Sequence, residues 1–366
     1  MKAKKRILLL SYCLDLGGSE RQLTEIARAM NPDAYEIHVG CLECSGLREP
    51  ELRAAGIPIL HLPMTSFISF GAVYQSVRLM LYIQRYKIDL VHAFDVPMDI
   101  FGAPAARLSL RPVVLTSQRA HRSLTYGARL RVLRITDRLA DGIVVNCEFI
   151  RRHLIEGEHV GARRIHLCYN GLDERVFSFR ERPVIPGKLL TLGCVCALRP
   201  EKNLELLIEA FARVRRVNPG CRLLLVGSGP HESMPRDRVA QLGLVAAVDF
   251  ISANAAVPQW LHKIDIFVLP SRTEALSNSL MEAMSCGCAA IASDVGGNPE
   301  LLGQNERGLL FQEGNVEDLA AQIFRFMGSP ELRRAKALAA RAFVEKKLTL
   351  RASVARMTEI YEQFLK

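Results

Sequence analysis

Short runs of apolar residues alternate along the chain with segments in which apolar positions recur every three or four residues. The short runs are typical of strands buried in parallel sheets, and the longer spacing is typical of amphipathic helices. In the first half of the chain the pattern predicts strands at 6–12, 36–41, 58–61, 89–93, 113–116, 142–146 and 165–168. It predicts helices between them at 19–30, 49–55, 70–85, 97–108, 124–140 and 148–155.

A second alternation begins after residues 177–187, where two prolines and a glycine indicate a linker. Its predicted strands are 189–197, 223–226, 248–251, 264–269, 289–292 and 308–311. Its predicted helices are 204–217, 236–242, 257–262, 279–285 and 316–327. Residues 330–366 show no strand pattern and predict two or three helices.

The repeated alternation predicts an α/β protein with two Rossmann-like, doubly wound domains that face a cleft. A chain of 366 residues is long enough for two domains of ordinary size. We assign residues 1–178 to the first domain and 179–349 to the second. Ligands are expected beyond the carboxyl ends of the strands.

The net charge of +10 favours an anionic ligand or an anionic surface as a partner. Residues 107–164 concentrate this charge, with twelve arginines against five acidic residues. Within them Arg129, Arg131, Arg134 and Arg138 mark a basic amphipathic helix, which could rest on anionic lipid or on a phosphorylated acceptor. A solvated helix face explains the same pattern. No nucleic-acid motif with interleaved aromatic residues accompanies the charge, so we expect no nucleic-acid partner.

The ten cysteines lie mostly in apolar strands, which indicates buried, reduced thiols in a cytosol. Cys41 and Cys44 have the spacing of metal ligands, but no second pair of this form accompanies them, and we expect no structural zinc. The N-terminus imitates a signal peptide, yet Asp15 interrupts its apolar segment and no cleavage site follows, so it predicts a first strand. No apolar run approaches the ~18 residues of a membrane-spanning helix. We therefore expect a cytoplasmic protein, or one attached peripherally to the inner face of the cytoplasmic membrane.

The most informative stretch follows the predicted strand at 264–269. Glu274 falls in the loop after this strand, and Glu282 lies inside the next predicted helix. A helix N-terminus at the carboxyl end of a parallel strand is an anion site, and its backbone amides could hold a diphosphate. The two carboxylates would then address uncharged groups such as sugar and ribose hydroxyls. A surface loop with one capping and one solvated glutamate is the alternative. The candidates for the helix N-cap are Ser277, Asn278 and Ser279.

Two further loops of the second domain carry suitable chemistry. Gly296 and Gly297 follow the next strand, where glycines let the backbone approach a ligand closely. Arg199 and Lys202 follow the first strand of the domain and could direct two cations at one phosphate group, with Asn203 capping the helix behind them. A solvated basic turn is the alternative for this segment.

Glycines also follow other strands. Gly17 and Gly18 open the first predicted helix, so their amides could face a ligand of the first domain. Gly227 and Gly229 imitate a dinucleotide-binding motif, but Glu232 stands where its third glycine is needed. This substitution disfavours a nicotinamide or flavin site.

In this combination and order the segments resemble the family-4 retaining glycosyltransferases of the two-domain GT-B fold. The resemblance covers nearly the whole chain, and its most specific part is the E-x7-E signature formed by Glu274 and Glu282. The segments that carry it are Gly17-Gly18-Ser-Glu20, Tyr169-Asn-Gly-Leu-Asp173, Arg199-Pro-Glu-Lys202-Asn, Leu225-Val-Gly-Ser-Gly-Pro230 and the stretch from Pro270 to Glu300.

The resemblance implies that the first domain binds an acceptor and the second a nucleotide diphosphate sugar, with a helix at about 350–366 crossing back to the first domain. It implies that Glu282 holds the ribose hydroxyls, Glu274 addresses the donor sugar, and Arg199 and Lys202 neutralise the leaving diphosphate. The other donor-binding positions that it implies are Gly17, Gly18, Ala275, Leu276, Ser277, Asn278, Ser279, Gly296 and Gly297.

The resemblance also implies hexosyl transfer with retention of the anomeric configuration. No metal and no other cofactor is expected, because cationic side chains and a helix dipole stabilise the leaving group. UDP-sugars are the expected donors because they are frequent in the family. The expected acceptor is a lipid-linked or cell-surface polysaccharide or oligosaccharide precursor.

The chain departs from the family pattern at three places. Cys196 and Ala197 stand where many members carry Gly-Arg, and Ala275 stands where many carry glycine after the first signature glutamate. The fifth predicted strand lacks the histidine that many members place near its end. His121, shortly after this strand, and His92, at the end of the preceding one, are the candidates for a catalytic role, although each could be structural.

Two other functions share the architecture. A non-catalytic sugar-nucleotide-binding protein is disfavoured by the intact Glu274, Glu282 and Lys202. A nucleotide-sugar epimerase is disfavoured because the E-x7-E stretch is not the mark of that group.

Overall fold

The structure, a computed structural model, describes residues 4–15, 17–182, 189–254 and 256–365. The chain folds into two compact units, Met1–Gly171 with Leu350–Lys366, and Leu172–Thr349. The predicted boundary at 178/179 lies a few residues beyond this division. Each unit contains one parallel sheet, as the alternation of strands and helices predicts.

The first unit is built on seven strands. They are β1 Lys5–Cys13, β2 Tyr35–Glu43, β3 Ile59–His61, β4 Leu90–Ala93, β5 Val113–Gln118, β6 Gly142–Val145 and β7 Ile165–Leu167. They lie in the order β3-β2-β1-β4-β5-β6-β7. The helices between them are α1 Gly18–Ala29, α2 Glu49–Ala54, α3 Phe70–Arg85, α4 Val96–Leu108, α5 Ala128–Leu139 and α6 Glu148–Arg152.

The middle of β1, residues 7–10, is a continuous buried apolar run, as is typical of a strand whose sheet is covered on both faces. Successive side chains of a strand point to opposite faces. Leu8 and Leu10 therefore pack with residues of α3 and α4, whereas Ile7 and Leu9 pack with residues of α1 on the other face.

The second unit is built on six strands. They are β8 Thr191–Val195, β9 Arg222–Val226, β10 Val248–Ile251, β11 Ile266–Leu269, β12 Ala289–Ser293 and β13 Leu309–Phe311. They lie in the order β10-β9-β8-β11-β12-β13. The helices of this unit are α7 Leu204–Val217, α8 Ser233–Gln241, α9 Val257–Leu261, α10 Asn278–Ser285, α11 Asn298–Leu302, α12 Val316–Gly328 and α13 Pro330–Lys347.

The last helix, α14 Leu350–Phe364, belongs to the first unit. Its residues Met357, Ile360 and Tyr361 are fully buried in the core that also contains Leu23 and Ile26 of α1. This confirms the expectation that the final helix packs on the first domain.

Several local predictions differ from the structure. The predicted helix at 124–140 is a 3₁₀ turn, Arg122–Leu124, followed by α5, because Gly127 adopts a positive φ of 63° between them. The loop predicted after the strand at 289–292, which carries Gly296 and Gly297, leads directly into α11. This helix begins at Asn298 with a proline in its first turn, a position where proline favours a helix.

The predicted linker at 177–187 begins inside the second unit. The Ser285 hydroxyl and the Arg341 guanidinium both donate hydrogen bonds to the Phe177 carbonyl, at 2.6 and 2.9 Å. The guanidinium of Arg182 donates to the Ile264 carbonyl at 3.0 Å. Residues 177–182 are thus tied to the unit, and 183–187 lie outside the described residues.

The interpretation of all cysteines as reduced thiols is wrong for one pair. Cys41 and Cys44 form a disulfide, because the turn at the end of β2 brings their Cα atoms to 5.6 Å, a separation that suits a disulfide. Among the described residues, no helix combines the length and the apolar character that crossing a bilayer requires.

Candidate functional site

β8, β11 and β12 lie side by side in the second sheet. The chain leaves β8 towards one edge of the sheet and returns to β11 on the other side, so their carboxyl ends flank a topological switch point, where ligands of such sheets bind. The loops after these three strands carry the predicted site residues Arg199, Lys202, Glu274, Gly296 and Gly297. Three segments that are distant in sequence therefore meet at one edge.

Lys202 and Glu274 form an ion pair at this edge. Nζ of Lys202 donates to Oε1 of Glu274 at 2.5 Å, and the Ser271 hydroxyl donates to the same oxygen at 2.7 Å. The side chains of Lys202 and Glu274 are only 17% and 10% exposed. Burial lowers the pKa of Lys202, but the Glu274 carboxylate, together with the neighbouring thiols, outweighs burial and raises that pKa above its ordinary value.

Hydrogen bonds between the loops hold this pair in place. The Arg272 amide donates to the Glu201 carbonyl at 2.8 Å, which joins the loop after β11 to the loop after β8. The Ser293 hydroxyl donates to the Ser271 carbonyl at 2.6 Å, which joins the end of β12 to the loop after β11. The site edge is therefore cross-linked through backbone groups, which favours a rigid arrangement.

The glycines after β12 make a close backbone approach to Glu274. A Cβ added at Gly296 would lie 2.0 Å from the Glu274 carbonyl oxygen, and the φ of Gly296 is +60°. The Gly297 amide donates to the Ala275 carbonyl at 2.8 Å. Only glycine satisfies both conditions at 296, because it lacks a Cβ and populates positive φ readily.

α10 begins at the predicted cap. The Ser277 hydroxyl accepts from the Leu280 amide at 3.4 Å and lies 3.2 Å from the Ser279 hydroxyl. Ser277 is therefore the N-cap, and Asn278 and Ser279 are the first two residues of the helix. The amides of a first helical turn lack intrahelical acceptors, so this turn can receive an anion.

The second signature glutamate lies on α10 itself. Glu282 is buried, as are the side chains of Ala275 and Leu276 in the turn before the helix. A carboxylate that is kept inside the fold at this depth is suited to a specific hydrogen-bonding role rather than to a solvated helix face.

Arg199 and Asn203 do not join the ion pair. The Arg199 side chain is 59% exposed and lies 4.0 Å from the Glu201 carboxylate. Asn203 occupies the N-cap position of α7 in the left-handed region, with a φ of 52°, and its side chain makes no capping hydrogen bond. The predicted cap is therefore wrong, because this backbone conformation replaces the extended one that a capping side chain needs.

Two thiols beside the pair were not predicted as part of the site. The Sγ atoms of Cys194 and Cys196 lie 3.7 Å apart, since alternate residues of a strand share a face. The hydrogen bond from Cys194 lowers the pKa of Cys196, burial opposes this, and the Lys202 ammonium adds to the lowering. The Cys-x-Cys spacing at the end of a predicted strand is the signal that could have located them.

In the first unit, Gly17 precedes α1 and Gly18 is its first residue. The Glu20 carboxylate lies over Gly17, where an added Cβ would meet its oxygen at 2.0 Å. The Cys13 thiol donates to the same carboxylate at 3.5 Å. An anion approaching these amides would therefore meet the Glu20 carboxylate, whose flexible side chain would have to move.

The two candidate histidines are both engaged within the first unit. His92 is fully buried, with Nδ1 at 2.8 Å from the Tyr361 hydroxyl and Nε2 at 2.8 Å from the Ser117 hydroxyl. His121 accepts from the Ser123 amide at 3.2 Å, and its ring lies 4.4 Å from that of His153. Burial lowers the pKa of both histidines, with Arg119 adding to the effect at His92 and His153 at His121.

Asp95 is an unpredicted acidic group at the carboxyl ends of β1 and β4, which flank the switch point of the first sheet. Its carboxylate accepts from the Tyr12 amide at 2.6 Å, the Ser11 hydroxyl at 3.0 Å and the Met98 amide at 3.0 Å. Burial raises the pKa of Asp95 to about 6. Aspartate two residues before Pro97 is the helix-start signal that could have found it.

The sequence matches two family profiles that together cover most of the chain. Residues 16–176 match Glycosyltransferase Family 4, and residues 177–343 match Glycosyl transferases group 1.

Curated relatives match over different shares of their length. A GDP-mannose-dependent alpha-(1-6)-phosphatidylinositol monomannoside mannosyltransferase of Mycobacterium tuberculosis is 26% identical over 332 residues, 84% of each chain. Sulfoquinovosyl transferase SQD2 of Arabidopsis thaliana is 27% identical over 74% of this chain, and an exopolysaccharide phosphotransferase of Streptomyces coelicolor is 32% identical over 60% of it. The chain spans only 56% and 23% of the length of these last two relatives.

Solved structures share the architecture over nearly the whole chain. HepE of Anabaena, solved in complex with UDP-glucose, superposes with a TM-score of 0.86 over 98% of this chain and 99% of its own, at 21% identity. Sucrose-phosphate synthase of Thermosynechococcus elongatus superposes with a TM-score of 0.82 over 98% and 99%, at 20% identity. These superpositions identify the two Rossmann-like units as the GT-B fold.

Proposed function

Because the chain belongs to the family-4 glycosyltransferases, with a Glycosyltransferase Family 4 domain followed by a Glycosyl transferases group 1 domain, we propose that it transfers a sugar from a nucleotide diphosphate sugar to a polysaccharide or glycolipid precursor. The observation that carries the proposal is the buried Lys202–Glu274 pair at the switch point of the second sheet. It combines a cation for a leaving diphosphate with a carboxylate for sugar hydroxyls.

The cost of such a transfer lies in expelling the diphosphate and in forming an oxocarbenium-like centre. The Lys202 ammonium has three donors and gives one to Glu274, so the others can bind diphosphate oxygens. Arg199, whose side chain is exposed, can swing towards the same group, and the first-turn amides of α10 supply further donors. Pre-positioned positive charge of this kind stabilises charge as it develops on the leaving group.

The two signature glutamates take different parts of the donor. Glu282, on α10, would hold the ribose hydroxyls, and Glu274, in the loop before it, would hold hydroxyls of the sugar. One oxygen of Glu274 already accepts hydrogen bonds from Lys202 and Ser271, which suits a positioning role better than attack on the anomeric carbon. Retention of configuration would then follow from direct attack on the same face as the leaving group.

The proposed chemistry needs no metal ion and no cofactor, because Lys202, Arg199 and the start of α10 supply the positive charge. A UDP-sugar is the proposed donor, and the complex of HepE with UDP-glucose supports it. The GDP-mannose dependence of the mycobacterial relative makes a GDP-sugar the competing donor.

The acceptor is proposed to bind the first unit, which carries the candidate catalytic residue His121. A lipid-linked or polymeric saccharide is the proposed class, because the relatives are described as acting on phosphatidylinositol monomannoside and on exopolysaccharide. Arg129 and Arg131 of α5 are exposed and would contact anionic lipid at the inner face of the cytoplasmic membrane.

The donor can be identified by thermal shift with UDP-, GDP- and ADP-sugars, because a ligand that binds the folded state raises the melting temperature. Transfer is then measured with that donor and lipid-linked saccharides. Glu274→Ala should abolish transfer, whereas the matched control Glu317→Ala, at an exposed pair with Arg213, should not. The catalytic proposal would fail if the chain binds the donor but neither transfers nor hydrolyses it, and if Glu274→Ala changes none of these measured properties. A new sugar formed without acceptor would indicate an epimerase instead.

A further inference from the structure

Helix α3 is apolar on two opposite sides. Ala72 is buried on its inner side, where Leu79 and Ile83 also pack in one core with residues of the first sheet and α4. The outer side of α3, and Ile68 just before the helix, carry large apolar side chains that are between 46% and 97% exposed. We call this set the outer stripe, and its members are Ile68, Phe70, Val73, Tyr74, Val77 and Leu81.

The outer stripe is continuous. From Phe70 its helical members follow at spacings of three, one, three and four residues, which keeps them on one side of a helix. Single exposed apolar residues are normal on a soluble protein, but a contiguous patch of this kind marks an interaction surface.

The surroundings of the outer stripe are basic. The sequence has no acidic residue from 62 to 88, and it places Arg78, Arg85 and Lys87 on or after α3. The Gln84 side chain donates to the Ser109 carbonyl at 2.7 Å, which brings exposed Leu110 to the end of the helix.

The neighbouring helices extend the basic surface. α4 packs against both α3 and α5. On α5, Arg129 and Arg131 are exposed beside Ile135, which is 56% exposed. Exposed cations therefore lie on α3 and on α5, the two helices that pack against α4.

We propose that the outer stripe inserts into the interfacial layer of an anionic lipid bilayer, with the flanking arginines on the lipid headgroups. Apolar and tyrosine side chains on one side of a helix, bordered by Lys and Arg, are the features of helices that lie in a membrane interface. A second copy of this chain fits less well, because a two-fold contact would bring the same cations against each other.

The outer stripe begins at the ligand edge of the first sheet. Ile68 and Phe70 lie where the chain returns from the carboxyl end of β3, the edge at which such sheets bind ligands. A bilayer held there would present a lipid-linked acceptor directly to the first unit. This last step rests on the proposed function, whereas insertion itself does not.

The test is co-sedimentation of the full chain with phosphatidylcholine vesicles that contain or lack phosphatidylglycerol. Val73→Asp/Val77→Asp should weaken the partition onto anionic vesicles by about tenfold or more, at low and at high salt, because insertion is an apolar interaction. Val245→Asp is the matched control, since Val245 is 69% exposed in the second unit, and it should bind like the wild type. Arg129→Glu/Arg131→Glu should weaken binding at low salt and matter little at high salt.

Wild-type partition by the Val73→Asp/Val77→Asp chain, or by Leu81→Asp as a second stripe variant, would overturn the proposal. The proposal would also be overturned if sedimentation velocity showed a dimer for the wild type and a monomer for the stripe variant, because the stripe would then join two copies. Donor binding and donor hydrolysis, measured without vesicles, separate the two proposals. Their absence would remove the glycosyltransferase function and leave insertion standing.

Discussion

Removing either half of the Lys202–Glu274 pair should destabilise the second unit about as much as removing both halves. The two side chains meet at 2.5 Å and are largely buried, so a deletion leaves an uncompensated charge in the fold. Breaking a buried pair in this way costs about 3–5 kcal/mol. The Ser271 hydroxyl still donates to Glu274 when Lys202 is absent, so we expect the lower end, about 3 kcal/mol for Lys202→Met.

Replacing both partners should cost no more than replacing one of them. Lys202→Met/Glu274→Met leaves no isolated charge, and apolar replacement of a buried pair is often close to neutral. We expect about 3 kcal/mol for each single variant and no more than that for the double variant, which gives a coupling free energy of at least about 3 kcal/mol.

The chain provides a probe for this measurement. Trp260 is its one tryptophan and lies in α9 of the second unit, where its indole donates to the Asn254 side chain at 3.2 Å. Urea unfolding followed by tryptophan fluorescence therefore reports on this unit. The matched control is the exposed Arg222–Asp249 pair between β9 and β10, whose coupling should stay below about 1 kcal/mol.

Additivity would refute the reasoning. If the Lys202 and Glu274 variants lose stability independently, with a coupling no larger than that of Arg222 and Asp249, the two groups do not hold each other in place. The interpretation of the site edge as a rigid, pre-positioned arrangement would then fail.

Three further results are expected. Gly296→Ala should destabilise the second unit by more than about 2 kcal/mol, because its Cβ would meet the Glu274 carbonyl at 2.0 Å. The control Gly314→Ala, at a positive φ in open space, should cost about 1 kcal/mol. Equal losses of the two variants in urea unfolding would contradict this expectation. Burial holds the pKa of His92 well below its ordinary value, so below about pH 6.5 the unfolded chain binds more protons than the folded chain. Calorimetry should therefore show the stability of the first unit falling, as the pH decreases below about 6.5, by up to about 1.4 kcal/mol per pH unit. His92→Gln should reduce this slope, and Tyr361→Phe, which keeps the imidazole, should not. Transfer in excess EDTA should equal transfer with Mg²⁺ within about twofold if side-chain cations replace a metal, and a larger loss restored by Mg²⁺ would indicate a metal-dependent enzyme.

Much of the fold was predictable because its elements carry strong local signals. The bounds of α3 and α7 match the prediction to the residue, since each has a clear apolar period and α3 has a capping serine, Ser69. α11 was missed because a helix of five residues is too short to show a period. The disulfide between Cys41 and Cys44 depends on how the chain turns after β2, which the spacing alone does not determine.

The candidate site was predictable as a set of residues and not as an arrangement. Lys202 and Glu274 were expected to serve different parts of a donor, and their direct contact across 72 positions depends on the pairing of β8 with β11. The outer stripe was hidden for a related reason. A helix with apolar residues on two sides predicts a helix, but only the packed fold determines which side faces water.

The placement of α14 has a consequence for how the protein is made. The second unit is one continuous segment, Leu172–Thr349, whereas the first unit needs a helix that the ribosome produces only afterwards. Until α14 docks, the first unit exposes the groove that Met357 and Ile360 fill, and His92 lacks its Tyr361 partner. The first unit therefore cannot complete its core before the whole of the second unit has been made, and a chain without α14 would expose an open apolar core for chaperones and proteases to recognise.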